Sequence, residues 1–330
     1  MQHARYTHRG PVPQDVIEAA NFELPPLAAG EVLVEVIAAP INPSDVLTLT
    51  GDYGSLPPLP AIGGNEGVGR VLEVGEGVTH LSPGQRVLLP VGSGTWTTHL
   101  TSDARLLVPL PAAGDAVQLS MLAVNPPTAA LLLREVDLQP GEWVLQNAAN
   151  SAVGGYLMQL ARERGLRTVN IVRREDAVDA VRADGGDVVL VDGDDLAARV
   201  RAETQGERVR LAVDAVGGGS TERLAQALAP GGTVINYGAM SGEPCAMSPA
   251  SLIFRGISLR GFWLARWFKT AEPDARHALF AELATLIARG VLHARVDATY
   301  AIADIKQAVA AAASGGRAGK IVLLPNGPAA

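Results

Sequence analysis

Cysteine is almost absent from this 330-residue chain, in which Cys245 is the one thiol. A single cysteine cannot form a disulfide within the chain, and it cannot build a cluster of thiolate ligands for a metal ion. We expect Cys245 to be a small packing residue. Aromatic residues are also scarce, at 4% of the chain, against 48% for apolar residues of all kinds. This composition is typical of a globular protein and excludes a disordered one.

Positive charge and long apolar runs are lacking as well. The 27 Lys and Arg are outnumbered by 34 Asp and Glu, and the net charge of −7 argues against nucleic acid or an anionic membrane as the main partner. No apolar run reaches the length of a transmembrane helix, and the N-terminal segment MQHARYTHRG lacks the apolar core of a signal peptide. We therefore expect a cytoplasmic enzyme or binding protein.

Metal-ligand spacing is missing among the histidines. The six His residues are scattered, and only His3 and His8 lie near each other, at positions where we expect surface residues. A zinc site needs three or four N, S or O ligands at clustered spacing. We therefore expect no zinc, so that any acid–base chemistry needs a proton donor from the protein itself.

A chain of 330 residues is longer than one hydrophobic core usually grows, so we expect two domains. Over about the first 120 residues, short segments rich in Val and Leu alternate with Gly and Pro, a pattern that predicts a mostly β domain. These segments are EVLVEVIAA (31–39), GVGRVLEVG (67–75) and QRVLLPV (85–91).

The pattern changes from about residue 125, where apolar strand segments begin to alternate with helical ones. The strand segments are 143–148, 168–172, 187–191, 209–216 and 232–238, and the helical segments are 151–165, 176–183, 195–203 and 221–228. Such alternation predicts an α/β doubly wound domain, a parallel sheet covered by helices on both faces. Further helices are expected at 280–290 and 305–313, and a last strand at 320–325 is expected to return to the first domain. The predicted domains are 1–122 with 267–330, and 123–266.

The segment NAANSAVGG (147–155) lies directly between a predicted strand and a predicted helix. This is where a dinucleotide-binding domain places a tight turn and a helix N-terminus for the pyrophosphate. Against the pattern G-x-G-x-x-G, the glycine positions fall on Ala149, Ser151 and Gly154, so the match is weak by itself. The small residues and the flanking elements favour a phosphate-binding turn, and an ordinary strand-to-helix turn is the alternative.

The end of the next strand, VNIVRRED, bears on the choice of cofactor. Arg173 and Arg174 come first, and an arginine pair suits the 2′-phosphate of NADP(H). Glu175 follows and could instead bind the ribose hydroxyls of NAD(H), and the whole segment could be a solvated charge cluster. The order of the residues favours NADPH.

The order of these parts resembles the medium-chain dehydrogenase/reductase superfamily, which implies a GroES-like, mostly β catalytic domain and a Rossmann domain. Zinc alcohol dehydrogenases of that superfamily carry Cys near the present Ser44, His-Glu near the present Asn65 and Glu66, and a lobe with four Cys. This sequence has none of those cysteines and has GGNEG (63–67) in place of Gly-His-Glu. The resemblance therefore implies the zinc-free branch.

Within that branch the chain resembles trans-2-enoyl thioester reductases of the mitochondrial fatty-acid-synthesis type. The shared segments are NPSD (42–45), GDYG (51–54), GGNEGV (63–68), GTW (94–96), VNPPTA (124–129), QNAANSAVG (146–154), NIVR (170–173), YGAM (237–240), LIF (252–254) and LRGFWL (259–264). Quinone reductases share the NPxD region and sometimes a nearby Tyr, but they do not usually carry GGNEG, NxPTA and RGFWL together.

This resemblance implies roles for individual residues. The family's proton-donating Tyr falls on Tyr53, for which an ordinary packing role is the alternative. The family's NADPH contacts fall on Asn125, Asn150, Ser151, Ala152, Val153, Arg173, Arg174, Tyr237, Gly238, Ala239, Met240, Phe262, Trp263, Leu264 and Lys320. The sequence departs from the family at Ala130, where an aromatic is common, and at Ala152, where a second Gly is usual.

The implied reaction suits a tyrosine donor. Hydride delivered to the β-carbon of an enoyl thioester leaves an enolate, which must be protonated at the α-carbon, and a phenol in a Gly-lined turn is a suitable acid. Trp96 could form a wall of the substrate pocket or pack in the core, and Asp45 is expected to be a structural cap. A group of basic residues could hold the phosphates of coenzyme A or an acyl carrier protein, or form a solvated rim: Arg255, Arg260, Arg266 and Lys269.

Three functions stay open. The first is NADPH-dependent reduction of an enoyl thioester, and the second is a quinone or enone reductase on the same fold. The third is a catalytically silent nucleotide-binding regulator, against which the presence of Tyr53 counts. Because fold and cofactor are shared, the pocket decides between the first two. The family, together with the apolar segments GTVINYG and ISLRGFWL, whose sheet edge needs covering, also leads us to expect a homodimer.

Overall fold

The chain folds as two units in the computed structural model, which describes residues 1–328. The first unit is Met1–Val124 with His277–Ala330, and the second is Asn125–Arg276. The first boundary between the units, after residue 124, lies close to the predicted boundary after residue 122. The second boundary lies after residue 276 rather than after residue 266. It comes later because the helix Leu264–Thr270 directly follows the last strand of the second unit and belongs to that unit.

The first part of the first unit is built from short strands with few helices. Its strands are β1 (Gln2–Tyr6), β2 (Ile17–Asn21), β3 (Glu31–Ile41), β4 (Ala61–Ile62), β5 (Val68–Val74), β6 (Arg86–Leu88), β7 (His99–Asp103) and β8 (Val108–Pro109), and its helices are α1 (Pro13–Val16), α2 (Pro43–Thr50) and α3 (Ala116–Ser120). In β3, Val32, Val34 and Val36 are fully buried while the residues between them reach the surface, as the two-residue period of a strand requires.

The second unit contains a six-stranded sheet in which all neighbouring strands are parallel. Its strands are β9 (Trp143–Gln146), β10 (Arg167–Val172), β11 (Val188–Val191), β12 (Val209–Asp214), β13 (Thr233–Asn236) and β14 (Ser258–Gly261), and its helices are α4 (Asn125–Leu132), α5 (Ala152–Glu163), α6 (Val178–Ala183), α7 (Leu196–Glu203), α8 (Gly218–Ala227) and α9 (Leu264–Thr270). The strand order β11-β10-β9-β12-β13-β14 is typical of dinucleotide-binding sheets. The predicted doubly wound domain is therefore confirmed.

The strands at the centre of this sheet carry fully buried apolar side chains. Leu145, Val169, Ala212 and Val234, one from each of four adjacent strands, have no exposed surface. A parallel sheet is covered by helices on both faces, so its strands have no side that is turned to water. This is why the sequence shows continuous apolar runs here and alternation in β3.

The chain returns to the first unit for its last elements. These are α10 (Pro273–Ala288), β15 (Val296–Tyr300), α11 (Ile305–Ala313) and β16 (Lys320–Leu323). β16 pairs antiparallel with β3, with Ile321 opposite Ile41, so the predicted return of the last strand is confirmed. It joins a seven-stranded sheet ordered β15-β16-β3-β5-β6-β8, in which β7 also pairs with β3, and β2, β1 and β4 form a separate sheet.

Several helices differ from the expectation, since α1, α2, α3, α4 and α9 lie outside the predicted helical segments and α10 begins earlier than predicted. α2 forms where the sequence shows no helical periodicity, because Pro43 starts it and the Asp45 side chain caps it. α10 begins at Pro273 rather than at residue 280, since residues of mixed polarity form its first turns. Among the helices of residues 1–328, none is both long enough and apolar enough to cross a membrane.

Candidate active site

Most of the predicted cofactor residues lie at one edge of the parallel sheet in the second unit. Arg173 directly follows β10, Tyr237 directly follows β13, and Phe262 directly follows β14. The turn that contains Asn150 follows β9. The carboxyl ends of parallel strands share one edge, and in open α/β sheets ligands bind there. The topology therefore brings these residues to a common edge.

The turn between β9 and α5 has the features of a phosphate-binding turn. Ala148 has a φ of +47°, a left-handed conformation that is uncommon outside glycine. The Ala149 N–H donates to the Ile171 carbonyl oxygen at 3.1 Å, which ties the turn to β10. The Ser151 hydroxyl caps α5 by accepting the Gly154 N–H at 3.1 Å. Other N-terminal amides of α5 have no intrahelical partner and carry the positive end of the helix dipole, which favours an anion.

Gly154 is required by the close packing of this turn. A Cβ atom on Gly154 would lie 2.5 Å from the Ala149 carbonyl oxygen, a distance that no side chain tolerates. The next residue, Gly155, has no heavy atom within 4 Å of its Cβ position. Of the three glycine positions in the sequence pattern, only the one that the packing demands is glycine. The turn therefore has the cradle that a pyrophosphate needs despite its weak match to the pattern.

The residues after β10 present charge to solvent. Arg173, Arg174 and Glu175 are exposed, and Arg174 Nε lies 3.1 Å from Asp176 Oδ1. A surface ion pair of this kind contributes little, so it does not prevent the guanidinium from binding a phosphate. The two arginines thus fit the 2′-phosphate of NADP(H), and the Glu175 carboxylate is exposed beside them.

Asp214, the last residue of β12, organises a buried network that sequence reasoning missed. It has no exposed surface. Its Oδ1 accepts hydrogen bonds from Asn147 Nδ2 at 2.6 Å and from the N–H groups of Val216 and Gly217 at 2.9 and 3.0 Å, and its Oδ2 accepts Thr221 Oγ1 at 2.7 Å. The network ties the end of β9 to the end of β12 and the start of α8. The signal in the sequence is a charged residue inside the apolar run RLAVDAV.

Tyr237 and Ser151, assigned separately to the cofactor by the resemblance, are in direct contact. The Tyr237 hydroxyl is hydrogen-bonded to Ser151, the cap residue of α5. Burial raises the pKa of the Tyr237 phenol above its ordinary value, and the hydrogen bond to Ser151 offsets part of that rise. The phenol is therefore protonated at neutral pH.

In the first unit, Tyr53 is held by the end of α2. Gly51 ends the helix with a φ of +94°. The Leu47 carbonyl oxygen accepts the N–H groups of Gly51, Asp52 and Tyr53, at 3.0, 2.9 and 3.2 Å. The Tyr53 side chain is half-buried. Its backbone is therefore fixed to the helix although it lies beyond the helical residues.

The start of α2 is held by a cluster of buried polar side chains. Asp45 Oδ2 accepts the Asn42 N–H at 2.7 Å, and Asp45 Oδ1 accepts Asn65 Nδ2 at 2.7 Å. Asn42 Nδ2 donates to Glu66 Oε1 at 2.7 Å, and Lys320 Nζ donates to Asn42 Oδ1 at 2.6 Å. Asp45, Glu66 and Lys320 expose 3%, 0% and 6% of their surfaces. This geometry fits the expected role of Asp45 as a cap.

Burial dominates the ionisation of this cluster. It raises the pKa of Asp45 to about 6 and that of Glu66 to about 7, although the Lys320 ammonium lowers both. It lowers the pKa of Lys320 to about 8, against the attraction of the two carboxylates. Glu66 Oε2 is buried without a hydrogen-bond partner among the described residues. Charges placed in this way are costly, and they are tolerated only through the hydrogen bonds that hold them.

The Lys320 ammonium, predicted to contact the cofactor, forms hydrogen bonds within the first unit. It donates to the Ile41 carbonyl oxygen at 3.1 Å as well as to Asn42, and the residue is 6% exposed. Sequence spacing gives no sign of these partners, because they lie far away in the chain. The cofactor contact of Lys320 stays a prediction.

The Trp96 ring belongs to the core of the first unit. It has no exposed surface, and its Nε1 donates to the Pro40 carbonyl oxygen at 3.3 Å. A Cβ atom on Gly63 would lie 2.2 Å from the ring atom Cε3, so the GGNEG segment lies directly on the ring. The packing alternative therefore describes Trp96. The structure does not support a pocket wall, because a side chain without exposed surface does not contact a substrate.

A metal centre is not apparent in the part of the chain that the structure describes. Within residues 1–328, no group of three or more His, Cys, Asp or Glu is placed to hold a metal ion. In the GGNEG segment, Asn65 and Glu66 are hydrogen-bonded to Asp45 and Asn42. Zinc independence stays a prediction.

Comparison with known proteins shows the family to which this chain belongs. The model of the "Alcohol dehydrogenase GroES-like domain" matches residues 28–112, and that of the "Zinc-binding dehydrogenase" matches residues 184–323. The chain is 39% identical over 313 residues to the mitochondrial enoyl-[acyl-carrier-protein] reductase of Homo sapiens, a match covering 93% of this chain and 84% of that protein. The chain belongs to the medium-chain dehydrogenase/reductase family. The predicted family and the fold class, a GroES-like domain with a Rossmann domain, are confirmed.

Solved structures of medium-chain reductases have the same fold. A putative NADPH:quinone reductase from Bacillus thuringiensis is 30% identical with a TM-score of 0.88, and the match covers 98% of both chains. Etr1p, a 2-enoyl thioester reductase from Candida tropicalis in complex with NADP and crotonyl-CoA, is 26% identical with a TM-score of 0.88, covering 98% of this chain and 99% of that one. These two neighbours differ in the reaction that their descriptions name.

Adjacent glycines in α5 give a test of the phosphate-binding turn. We predict that Gly154→Ala weakens NADPH binding by about 5- to 150-fold, because relieving the clash with Ala149 costs about 1–3 kcal/mol. Gly155→Ala, the control, should keep the affinity and gain up to about 1 kcal/mol of stability, since Ala is the better helix former. Dissociation constants from nicotinamide fluorescence and thermal melts measure both effects. Equal NADPH affinities for the two variants would contradict the assignment of the turn.

Proposed function

We propose that the chain uses NADPH to reduce the carbon–carbon double bond of a trans-2-enoyl thioester, with hydride to the β-carbon and a proton to the α-carbon. The observation that carries the proposal is the 39% identity, over 93% of the chain, to a protein named as an enoyl-[acyl-carrier-protein] reductase. Etr1p, whose complex contains NADP and crotonyl-CoA, supports the same cofactor and substrate class.

The second unit has the groups that NADPH needs. Bound NADPH supplies the hydride for the β-carbon. The N-terminal amides of α5, with the Ser151 cap and the cradle at Gly154, suit its pyrophosphate. Arg173 and Arg174 suit its 2′-phosphate, because guanidinium groups bind phosphate through paired hydrogen bonds. These residues bind and orient, and none of them needs to change its protonation state.

Tyr53 is the proton donor in this proposal. Once the β-carbon has accepted hydride, the thioester enolate needs one proton at its α-carbon, and a phenol is a suitable general acid. The hydrogen bond from the Tyr53 N–H to the Leu47 carbonyl oxygen holds the residue at the end of α2. The presence of this donor also counts against a silent regulator.

A quinone or enone reductase is the second candidate, and a specific observation favours it. The Bacillus thuringiensis neighbour is described as a putative NADPH:quinone reductase, and its 30% identity exceeds the 26% of Etr1p. The two reactions differ in their need for a protein acid. Reduced quinone oxygens take protons from water, whereas the α-carbon of an enolate needs a positioned donor. Tyr53 therefore discriminates between the two candidates.

The thioester could be carried by coenzyme A or by an acyl carrier protein, and basic side chains near β14 bear on both. The Arg255 side chain is already hydrogen-bonded to the end of α8, where its Nη1 donates to the Ala225 carbonyl oxygen at 3.0 Å. Arg260 lies 3.6 Å from Glu135. Arg266 and Lys269 are exposed, so we propose these two as contacts for the phosphates of either carrier.

We propose that a second copy of this chain covers the open edge of the parallel sheet. β14 is the last strand in the sheet order, and all four of its residues are exposed. Ile253 and Phe254, shortly before it, are 71% and 84% exposed. An unpaired strand edge beside exposed apolar side chains favours association with another chain. Etr1p is described in a heterodimer with Etr2p, which supports pairing between chains of this fold.

The dimer proposal is tested by charging the apolar side chains beside β14. We expect the wild-type chain to be dimeric at micromolar concentration, and the double variant Ile253→Asp with Phe254→Asp to be monomeric, because buried charges without partners are costly. Leu106→Asp is the control, since Leu106 is also an exposed apolar residue, at 59%, but lies in the first unit. Light scattering gives the masses. A monomeric wild-type chain would contradict the proposal.

The preference for NADPH is tested at the arginine pair. Replacing Arg173 and Arg174 together by Ala should weaken NADPH by roughly 1.5–3 kcal/mol, the scale of a hydrogen bond to a charged group, and leave NADH nearly unchanged. Arg182→Ala, the loss of an exposed guanidinium on α6, should preserve the preference. The measured quantity is the ratio of kcat/KM with NADPH to that with NADH. An unchanged ratio in the double variant would mean that these arginines do not bind the phosphate.

The role of Tyr53 is tested by removing only its hydroxyl. Tyr53→Phe should lower enoyl turnover on the order of 100- to 10,000-fold, the usual contribution of general acid catalysis, while NADPH affinity barely changes. Quinone turnover should change little. Tyr300→Phe, at a half-buried tyrosine of β15, should leave both reactions intact. Enoyl turnover near the wild-type level in Tyr53→Phe would return Tyr53 to a packing role.

A further inference from the structure

Asp45 is a buried carboxylate in the first unit to which the proposed reaction gives no task. It is 3% exposed, and both of its oxygens accept hydrogen bonds, one from the Asn42 N–H and one from Asn65 Nδ2, each at 2.7 Å. It is the third residue of α2, where a carboxylate faces the amide groups that begin the helix. Its contacts therefore fix the position of the helix start.

α2 connects this carboxylate to Tyr53 through continuous hydrogen-bonded backbone. The helix has eight residues, Pro43–Thr50, and Gly51 ends it in a left-handed conformation. The Leu47 carbonyl oxygen, in the middle of the helix, accepts the Tyr53 N–H at 3.2 Å. A helix this short moves as one body. Any shift at its start is therefore transmitted to Tyr53.

The groups around Asp45 leave it few alternative arrangements. Asn42, which donates to Asp45 through its backbone, is itself held by Glu66 at 2.7 Å and by Lys320 at 2.6 Å. Asn42, Glu66 and Lys320 are all buried. Rearranging buried polar groups means breaking hydrogen bonds where no water replaces them. The network therefore favours a single placement of the start of α2.

We propose that Asp45 is a positioning residue for the proton transfer from Tyr53, acting through α2 and held in place by Asn42 and Asn65. The inference rests on the proposed function, in which Tyr53 is the acid. Asp45 itself takes no part in the chemistry. It sets where the Tyr53 phenol lies, and proton transfer is sensitive to displacements of the order of 1 Å.

The test is a double-mutant cycle between Asp45 and Tyr53, measured as crotonyl-CoA reduction with NADPH. Asp45→Ala should lower kcat by about 10- to 100-fold, the scale of a misplaced catalytic group. In the Tyr53→Phe background the same substitution should lower kcat by less than about two-fold, since the group that it positions is already absent. Quinone turnover and NADPH affinity should stay near the wild-type values in both backgrounds. Equal losses of kcat in the two backgrounds would overturn the proposal.

Asp115→Ala is the matched control for the loss of a helix cap. The Asp115 carboxylate accepts the Val117 and Gln118 N–H groups at the start of α3, at 2.7 and 3.1 Å, in the same unit as Asp45. Both substitutions should lower the melting temperature. Only Asp45→Ala should lower enoyl kcat, and a loss of kcat in Asp115→Ala equal to that in Asp45→Ala would refute a specific role. If Asp45→Ala does not fold, Asn65→Ala serves in its place, because it removes one hydrogen bond to Asp45 from a half-buried position.

Hydrogen–deuterium exchange separates this inference from the proposed function. The amides of residues 51–53 should exchange faster in Asp45→Ala than in the wild type and in Asp115→Ala, whichever substrate the enzyme reduces. Unchanged exchange there would overturn the positioning role even if the enoyl activity is present. Absence of enoyl reduction by the wild-type chain, with faster exchange in Asp45→Ala, would reject the proposed function while retaining the link between Asp45 and the Tyr53 segment.

Discussion

The cost of burying a carboxylate is the constraint on which both functional parts of the chain depend. A buried carboxylate is tolerated when hydrogen bonds satisfy its oxygens. Asp214 meets this condition through Asn147 and the start of α8, which fixes the strand ends beside the phosphate-binding turn. Asp45 meets it through Asn42 and Asn65, which fixes the start of the helix whose Leu47 carbonyl oxygen accepts the Tyr53 N–H. In each unit, a buried carboxylate holds backbone that adjoins a segment with candidate functional groups.

The return of the chain to the first unit has an electrostatic consequence. β16 brings Lys320 to Asn42, from which it is separated by 278 positions in the sequence. The Lys320 ammonium lowers the pKa of both Asp45 and Glu66 and so offsets part of the effect of burial. Without this strand the cluster would hold two carboxylates and no cation. The last strand therefore completes a sheet and also neutralises charge beside α2.

Local patterns in the sequence predict much of this fold, and contacts between distant residues account for part of what they do not. The apolar runs of β9–β13 and the position of Gly154 are visible because each depends on neighbours in the chain. α2 is missed because its apolar residues show no helical periodicity, although its start signal, Pro43 with Asp45 bonded to the Asn42 N–H, is local. The burial of Trp96 and the partners of Lys320 depend on residues far away in the sequence. Tyr53 is identified by resemblance alone, and the structure adds how its backbone is held.

The position of deuterium in the product tests most directly the central claim, which is that hydride goes to the β-carbon and a proton to the α-carbon. Crotonyl-CoA is reduced by the wild-type chain once with NADPH deuterated at nicotinamide C4 in water, and once with unlabelled NADPH in deuterium oxide. The account predicts deuterium from the cofactor at the β-carbon and deuterium from solvent at the α-carbon of butyryl-CoA, as read by NMR. Cofactor deuterium at the α-carbon, or no saturated product at all, would contradict it.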